Sequence, residues 1–215
     1  NDAGTTRAEF LNWWQKQTQA RVPEMSGTRT TNINSNADIF RDDWGVPHII
    51  AEDDSSLFFG YGYAMAQDRL WQLDYYRRKA HGDLSEILGE QGLESDILSR
   101  TIGISRIAER GLPKVNPDTR VRLNSFTEGV NAIILESHDN LPIEFDLLDY
   151  RPKPWSPLDS YAIWQDFRWY LTGRLPIIAI PELAKRVLGE GSLLDDFITG
   201  EAEDESIIPP GSYPS

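Results

Sequence analysis

Residues 41–74 read RDDWGVPHIIAEDDSSLFFGYGYAMAQDRLWQLD, and the predicted fold is organised around this stretch. Strands are predicted at residues 37–41 and 46–51, because the Asp-Asp-Trp-Gly sequence between them contains residue types that accept tight-turn geometry. Pro47 has no N–H to donate to a strand ladder, which favours a strand start or a sheet edge. His48 is interpreted as a hydrogen-bonded structural residue rather than a catalytic base. The stretch therefore begins in a β-hairpin.

The same stretch continues into a long helix, predicted over residues 55–80. Gly60 and Gly62 weaken a helix interior, and their expected use is the close approach of another backbone. Asp68 beside Arg69 predicts a buried, satisfied charge pair, since an unpaired buried carboxylate is costly. A catalytic role for Asp68 is the alternative. A hairpin that leads into this helix is the predicted centre of the molecule.

The rest of the chain is predicted to be mostly helical. A capping residue followed by proline, as in Asn116-Pro117 and Ser156-Pro157, marks a helix start. Further helices are predicted at residues 84–88, 93–109, 117–137, 157–172 and 182–188. The 215 residues are interpreted as a single domain fragment.

Both ends of the chain differ in character from its middle. Residues 1–31 are predicted to be a helical extension, with a helix over TRAEFLNWWQKQTQ. Phe10, Trp13 and Trp14 share one face of that helix, and this face either binds a partner or packs onto the rest of the fold. Residues 200–215 are acidic and then rich in Pro, Gly and Ser, which predicts a solvated or processed tail.

Composition disfavours several classes of function. The formal net charge is −13, which disfavours nucleic acid and anionic membranes as partners because both are bound by Lys and Arg. No run approaches the roughly 20 apolar residues of a membrane helix. The absence of cysteine excludes disulfides, thiolate metal sites and a Cys nucleophile. The polar amino end shows no signal peptide, although an exported protein can have lost one already.

The sequence shows no self-sufficient active site. It contains no GxSxG elbow, HExxH motif, phosphate loop or metal-binding cluster. His48, His81 and His138 are too far apart in sequence for metal-ligand spacing. Paired carboxylates such as Asp42-Asp43 occur in runs that are typical of exposed surfaces. A folded chain of this kind is either a binding module or part of a larger enzyme.

A series of short segments, in this order and spacing, spans about residues 37–190. The segments are Arg41-Asp42, Gly45-Val46-Pro47-His48-Ile49, Gly60-Tyr61-Gly62-Tyr63, Ala66-Gln67-Asp68-Arg69-Leu70, Gly82-Asp83-Leu84-Ser85-Glu86-Ile87-Leu88-Gly89, Phe126-Thr127-Glu128-Gly129-Val130-Asn131 and Pro152-Lys153-Pro154-Trp155-Ser156-Pro157-Leu158-Asp159. Together they resemble the α chain of the penicillin acylase (penicillin amidase) family.

The resemblance implies a protein made as one precursor that cuts itself into α and β chains. The nucleophile is then the first residue of the β chain, normally a serine whose own α-amino group acts as the base, and the oxyanion donors also come from β. The implied fold class is α+β, with a mostly helical α-chain contribution to a four-layer αββα N-terminal-nucleophile hydrolase sandwich. This chain begins with Asn1, so the missing active site is expected and no catalytic residue is assigned to it.

Two sites in this chain follow from the resemblance. Arg168, Leu171 and Thr172 are implied to line the acyl pocket, and the helix that carries them is rich in aromatic residues, which suits either core packing or a pocket wall. Glu182 is implied to be an oxygen ligand of a structural calcium ion bound between the chains. The residue alone equally suits a first-turn acid that offsets the positive end of a helix.

The predicted function is that of the α subunit of a heterodimeric acylase, acting on a penicillin, an acyl-homoserine lactone or a related N-acyl amide. Its predicted partners are a β subunit from the same precursor and the small substrate, without nucleic acid or membrane. Calcium is the predicted cofactor, and no organic cofactor is expected. The expected location is periplasmic or secreted. The alternative is a non-catalytic helical interaction module.

Overall fold

A computed structural model of the protein describes residues 5–22, 36–172 and 175–198. The predicted tail at residues 200–215 lies outside the described residues. The chain divides into two compact units, one up to Phe167 and one from Arg168 onward. None of the helices in the described ranges is both long and apolar enough to span a bilayer.

Helices form most of the described structure, and one hairpin accompanies them. The elements in chain order are α1 (Arg7–Ala20), β1 (Ala37–Arg41), β2 (Pro47–Ala51), α2 (Asp54–His81), α3 (Ser85–Leu88), α4 (Glu90–Ile102), α5 (Ile104–Gly111), a 3₁₀ turn (Leu112–Lys114), α6 (Pro117–Glu136), α7 (Ile143–Leu147), α8 (Pro157–Thr172), α9 (Leu175–Leu188) and α10 (Ser192–Ile198). The prediction of a mostly helical α+β chain is confirmed.

The hairpin forms as predicted. Strands β1 and β2 pair antiparallel, with Ile39 opposite Ile49. The Asp42 carboxylate organises the turn, because it accepts hydrogen bonds from the backbone N–H groups of Trp44 and Val46 at 3.0 and 2.9 Å. The Nε2 atom of His48 lies 3.1 Å from the same carboxylate. His48 therefore has a structural partner within its own hairpin.

The crossing of α2 and α6 forms the centre of the first unit. A Cβ atom at Gly62 would overlap the carbonyl oxygen of Phe126, and a Cβ atom at Gly129 would overlap the carbonyl oxygen of Phe59. The two backbones therefore meet directly at the crossing, which confirms the expected use of Gly62. Large apolar side chains fill the space around the crossing. The buried members of this core include Phe59, Tyr63, Leu70, Val130, Ile133, Leu141, Phe145 and Trp155.

The predicted pair of Asp68 with Arg69 is wrong. Adjacent residues of a helix point in different directions, and Asp68 instead accepts two hydrogen bonds from Arg41 of β1, at 2.8 and 3.0 Å. The backbone at Arg69 leaves the helical conformation, with φ −141° and ψ 28°, so α2 is kinked there.

The buried charge of α2 lies one and a half turns further on, at Asp74. Its carboxylate is fully buried and accepts hydrogen bonds from Arg77 Nε at 2.7 Å and Arg78 Nε at 2.8 Å. Arg77 also donates to the carbonyl oxygens of Lys153 and Pro154. The cluster joins α2 to the segment that precedes α8.

The helices differ from those predicted in three places. The helix expected at residues 93–109 is divided at Gly103, whose φ of +82° ends α4. The short helix α7 lies between the predicted helices at residues 117–137 and 157–172, where no helix was predicted. Helix α9 begins at Leu175, whereas the predicted helix began at residue 182, directly after Pro181, which lies inside α9. Pro176 already provides a first-turn proline for α9, and the sequence-based prediction began the helix at the second proline instead of the first.

Helix α1 contacts the rest of the fold through its carboxyl end. Arg21 Nη2 lies 2.6 Å from Asp146 Oδ2, and Asn140 donates a hydrogen bond to the carbonyl oxygen of Ala20 at 2.9 Å. Phe10 and Trp13 remain about half exposed. Within the described residues, the aromatic face of α1 therefore does not pack into a core.

Candidate functional site

Helix α8, which carries the predicted acyl-pocket residues, begins as the sequence predicts. The Asp159 carboxylate accepts hydrogen bonds from the backbone N–H and the hydroxyl of Ser156, at 2.7 and 2.8 Å. The Ser156 hydroxyl accepts one in return from the Asp159 N–H at 3.4 Å. This reciprocal cap fixes the first turn of α8 and confirms the predicted start at Pro157.

The inner face of α8 is attached to the last turns of α2. Ala162 is fully buried in a small apolar cluster with Ala80 of α2 and Ala108 of α5. Asp159 and Asp166 lie on the same side of α8, because seven residues make two helical turns. Asp159 Oδ1 lies 3.0 Å from the ring Nε2 of His81. Asp166 Oδ2 lies 2.6 Å from Lys79 Nζ.

His81 connects three helices through its two ring nitrogens. Nε2 contacts Asp159 of α8 and Nδ1 lies 3.0 Å from the hydroxyl of Ser105 in α5. Ser105, His81 and Asp159 are thus hydrogen-bonded in series, as in a nucleophilic triad, but Asp159 is also the capping residue of α8. We interpret the series as an anchor for α8. Sequence analysis missed it because 78 residues separate His81 from its partner.

Asp159 should make the stability of the protein depend on pH. Burial raises the pKa of its carboxyl, but hydrogen bonds from His81 and Ser156 outweigh burial and hold the pKa below its ordinary value. The unfolded chain has an Asp pKa of about 3.9. The stabilisation is therefore complete above that pH and is lost as the pH falls through the lower pKa of the folded protein.

The variant Asp159→Asn tests this dependence. We expect a lower free energy of unfolding than wild type at neutral pH, and a difference that narrows as the pH falls from about 5 to about 3. Urea unfolding at each pH measures both quantities. Asp139→Asn is the control, since the Asp139 side chain is fully exposed. A difference between Asp159→Asn and wild type that stays constant with pH would contradict the prediction.

The outer face of α8 is apolar and exposed. Trp164 and Phe167 are 50% and 54% exposed, so within the described chain this face is not core. Arg168, Leu171 and Thr172 lie on the following turns, and all three are exposed. The Thr172 hydroxyl donates to the carbonyl oxygen of Trp169 at 3.0 Å. The assignment of these three residues to an acyl pocket stays a prediction.

Glu182 lies in the middle of α9, at its eighth residue. The interpretation of Glu182 as a first-turn acid is therefore wrong, because α9 begins at Leu175. Its exposed carboxylate pairs with Arg186 one turn later, with Nε 3.2 Å from Oε1. In the part of the chain that the structure describes, no three acidic or histidine side chains are grouped as metal ligands. A calcium ion at Glu182 would need ligands from elsewhere.

Two cavities lie beside the kink of α2, away from α8. They measure about 590 and 570 Å³ and share a border at Asp68, Leu70, Pro142 and Glu144. Neither is lined by any of the predicted site residues. Their linings mix charges of both signs, which does not indicate one class of ligand.

Most of the chain matches one protein-family model. The model described as penicillin amidase matches residues 36–197, a range that contains the hairpin, the α2–α6 crossing, all of α8 and Glu182. The chain belongs to the penicillin amidase family. Helix α1 lies before the penicillin amidase match, whereas every residue predicted for a site lies inside it.

The similar proteins include both penicillin acylases and acyl-homoserine lactone acylases. The chain is 33% identical over 200 residues to penicillin acylase 2 proenzyme of Pseudomonas sp. (strain SE83), covering 90% of this chain and 25% of that protein. It is 35% identical over 134 residues to penicillin G acylase of Escherichia coli, covering 60% and 16%. It is 30% identical over 152 residues to acyl-homoserine lactone acylase QuiP of Pseudomonas aeruginosa, covering 70% and 18%. The chain thus spans a quarter or less of these proteins.

A solved penicillin amidase relative has a similar fold. The thermostable penicillin G acylase from Alcaligenes faecalis superposes with a TM-score of 0.64 at 25% identity, covering 84% of this chain and 98% of the matched chain. The likeness covers nearly all of the matched chain, which supports the mostly helical α+β architecture described above.

Proposed function

We propose that this chain is the α subunit of a heterodimeric acylase that hydrolyses N-acyl amide bonds. The observation that carries the proposal is the penicillin amidase match over residues 36–197. The relatives are named as penicillin acylases, one of them as a proenzyme, and as acyl-homoserine lactone acylases. The proposed substrate is accordingly a penicillin, an acyl-homoserine lactone or a related N-acyl compound.

The proposed reaction divides its chemistry between two chains of one precursor. The nucleophile is the N-terminal serine of the β chain, and its α-amino group takes up the hydroxyl proton. The serine oxygen attacks the amide carbonyl, the amine leaves with that proton, and water then hydrolyses the acyl-enzyme. This chain provides scaffold and part of the acyl pocket. An exported location, periplasmic or secreted, belongs to the same proposal and is tested by cell fractionation.

The outer face of α8 is the proposed contribution to the acyl pocket. Trp164 and Phe167 present apolar surface there, and ligand sites are lined mainly by apolar and aromatic groups. Arg168, Leu171 and Thr172 continue this helix toward its carboxyl end. We propose that these three side chains contact the acyl group while the β chain holds the scissile amide.

Expression of the complete gene tests the proposal. Mass spectrometry should find a second chain that begins with serine, in equal amount to this one. The purified protein should release free amine from penicillin G, from N-acyl-homoserine lactones or from related N-acyl amides. Replacement of the β-chain serine by alanine should abolish the release. A stable, lone protein of 24.5 kDa without hydrolytic activity would instead support the interaction module.

Glu182 is proposed to contribute one carboxylate to a structural calcium ion between the chains. Exposed ion pairs contribute little stability, so the contact with Arg186 does not prevent the carboxylate from binding a cation. Calcium takes six to eight oxygen ligands, and most would come from the β chain. No organic cofactor enters the proposal.

Glu182→Ala should therefore weaken calcium retention. We expect the calcium content after gel filtration to fall, and the two chains to dissociate at lower temperature, because one charged ligand is lost. Elemental analysis and thermal unfolding with and without a chelator measure the two effects. Glu190→Ala is the matched control, since Glu190 is also an exposed glutamate that forms an ion pair, with Lys185 at 2.8 Å. Unchanged metal content in Glu182→Ala would remove the residue from the site.

A further inference from the structure

We propose that Lys79 and His81 are positioning residues that fix the rotation of α8 about its axis and thereby set the acyl selectivity of the enzyme. The inference rests on the proposed function, because it takes the outer face of α8 as a wall of the acyl pocket. Neither residue belongs to the short segments that carry the family resemblance.

The two residues hold α8 at two points along one line. Lys79 Nζ lies 2.6 Å from Asp166 and His81 Nε2 lies 3.0 Å from Asp159. The side chains of both acids are largely buried, with 13% exposure each. Charge-assisted hydrogen bonds are directional and short, and two of them two turns apart oppose both sliding and rotation of the helix.

An apolar contact beneath α8 acts together with these two polar contacts. Its fully buried centre consists of three alanines and one isoleucine, and larger side chains of α8 pack around it. The buried residues are Ala80, Ile104, Ala108 and Ala162, and the surrounding α8 side chains are Leu158, Tyr161 and Ile163. Alanine side chains permit close approach but interlock little, and complementary shapes are what give a packed interface a unique arrangement. The polar contacts of Lys79 and His81 therefore add directional constraints to the apolar packing, whose central alanines interlock little.

Rotation of α8 about its axis would displace the side chains on its opposite face. Trp164 lies on that face, and Arg168 and Leu171 follow it at spacings of four and seven residues along the same helix. Side chains extend about 5–6 Å from a helix axis, so a rotation of about 20° moves their ends by about 2 Å. Displacements of this size change how well a pocket fits acyl groups that differ by one or two methylenes.

The test compares the full two-chain enzyme with its Lys79→Met, Asp166→Asn and His81→Phe variants. The kcat and KM values are measured on N-acyl p-nitroanilides of increasing acyl length. We expect the ratio of kcat/KM for long and short acyl groups to change by at least about threefold in each variant, mainly through KM. The Lys79→Met/Asp166→Asn double variant should show no further change, because both substitutions remove one contact.

Two control variants separate positioning from stability. Lys79→Arg keeps a cation and should restore the wild-type ratio. Arg122→Met removes an exposed pair with Asp54, distant from α8 in sequence, and should leave the ratio unchanged. If the wild-type enzyme is active and every variant keeps its ratio of kcat/KM for long and short acyl groups, this inference is wrong but the proposed function stands. A wild-type enzyme that is inactive on every acyl amide would overturn the proposed function and this inference with it.

Discussion

Gly62→Ala should destabilise the protein by about 3 kcal/mol, at the upper end of the usual cost of overpacking a core. The added methyl group would overlap the carbonyl oxygen of Phe126, and a backbone atom in the middle of a helix cannot move aside without displacing α6. This loss outweighs the gain of up to about 1 kcal/mol from replacing glycine with alanine inside a helix. The expected fall in the thermal midpoint is roughly 6–12 °C.

Gly60→Ala is the matched control for this prediction. It lies on the same helix two residues earlier, and its Cβ would lie 2.8 Å from the Cγ2 methyl of Ile49. A side-chain methyl can shift by rotation, whereas a backbone oxygen cannot, so we expect a clearly smaller fall in midpoint. Equal midpoints for the two variants would show that the α2–α6 crossing tolerates a side chain and would contradict the packing argument.

Asp74→Asn should cost about 3–5 kcal/mol, as expected when one partner of a buried charge pair is removed. The substitution keeps the shape of the side chain but leaves Arg77 and Arg78 without their shared counter-charge. Both guanidinium groups are largely buried, so water cannot replace the carboxylate fully. Urea unfolding or, if the variant is too unstable to purify, the yield of folded protein measures the effect.

Asp68→Asn provides the comparison for Asp74. Asp68 also pairs with an arginine, Arg41, but its side chain is 29% exposed. We expect a cost of about 1 kcal/mol or less, as for pairs near the surface. If the two variants lost equal stability, burial would not be the cause of the effect, and the interpretation of the Asp74 cluster as a buried anchor would fail.

Local sequence signals predicted the elements well where a short segment determines its own structure. The turn at Asp42 to Gly45, the proline-led starts of α6 and α8, and the capping pair Ser156 and Asp159 all depend on residues within four positions of one another. The same locality explains the error at α9, where two prolines gave competing start signals and the structure uses the first.

Contacts between distant residues could not be predicted in the same way. The partners of Asp68, Asp74 and His81 depend on which helix faces pack together, and no local pattern encodes that. The kink at Arg69 changes those faces further. For the candidate site, the family resemblance placed residues on α8, but its attachment through Lys79 and His81 became visible only in the packed structure.

The α2–α6 crossing also constrains how this sequence can change over generations. A side chain that collides with another side chain can be accommodated by a second substitution that shortens its neighbour. At Gly62 and Gly129 the obstacle is in each case a main-chain oxygen, which every residue type possesses. No compensating substitution at the opposing position exists, so we expect both glycines to be fixed for as long as descendants of this chain keep the crossing.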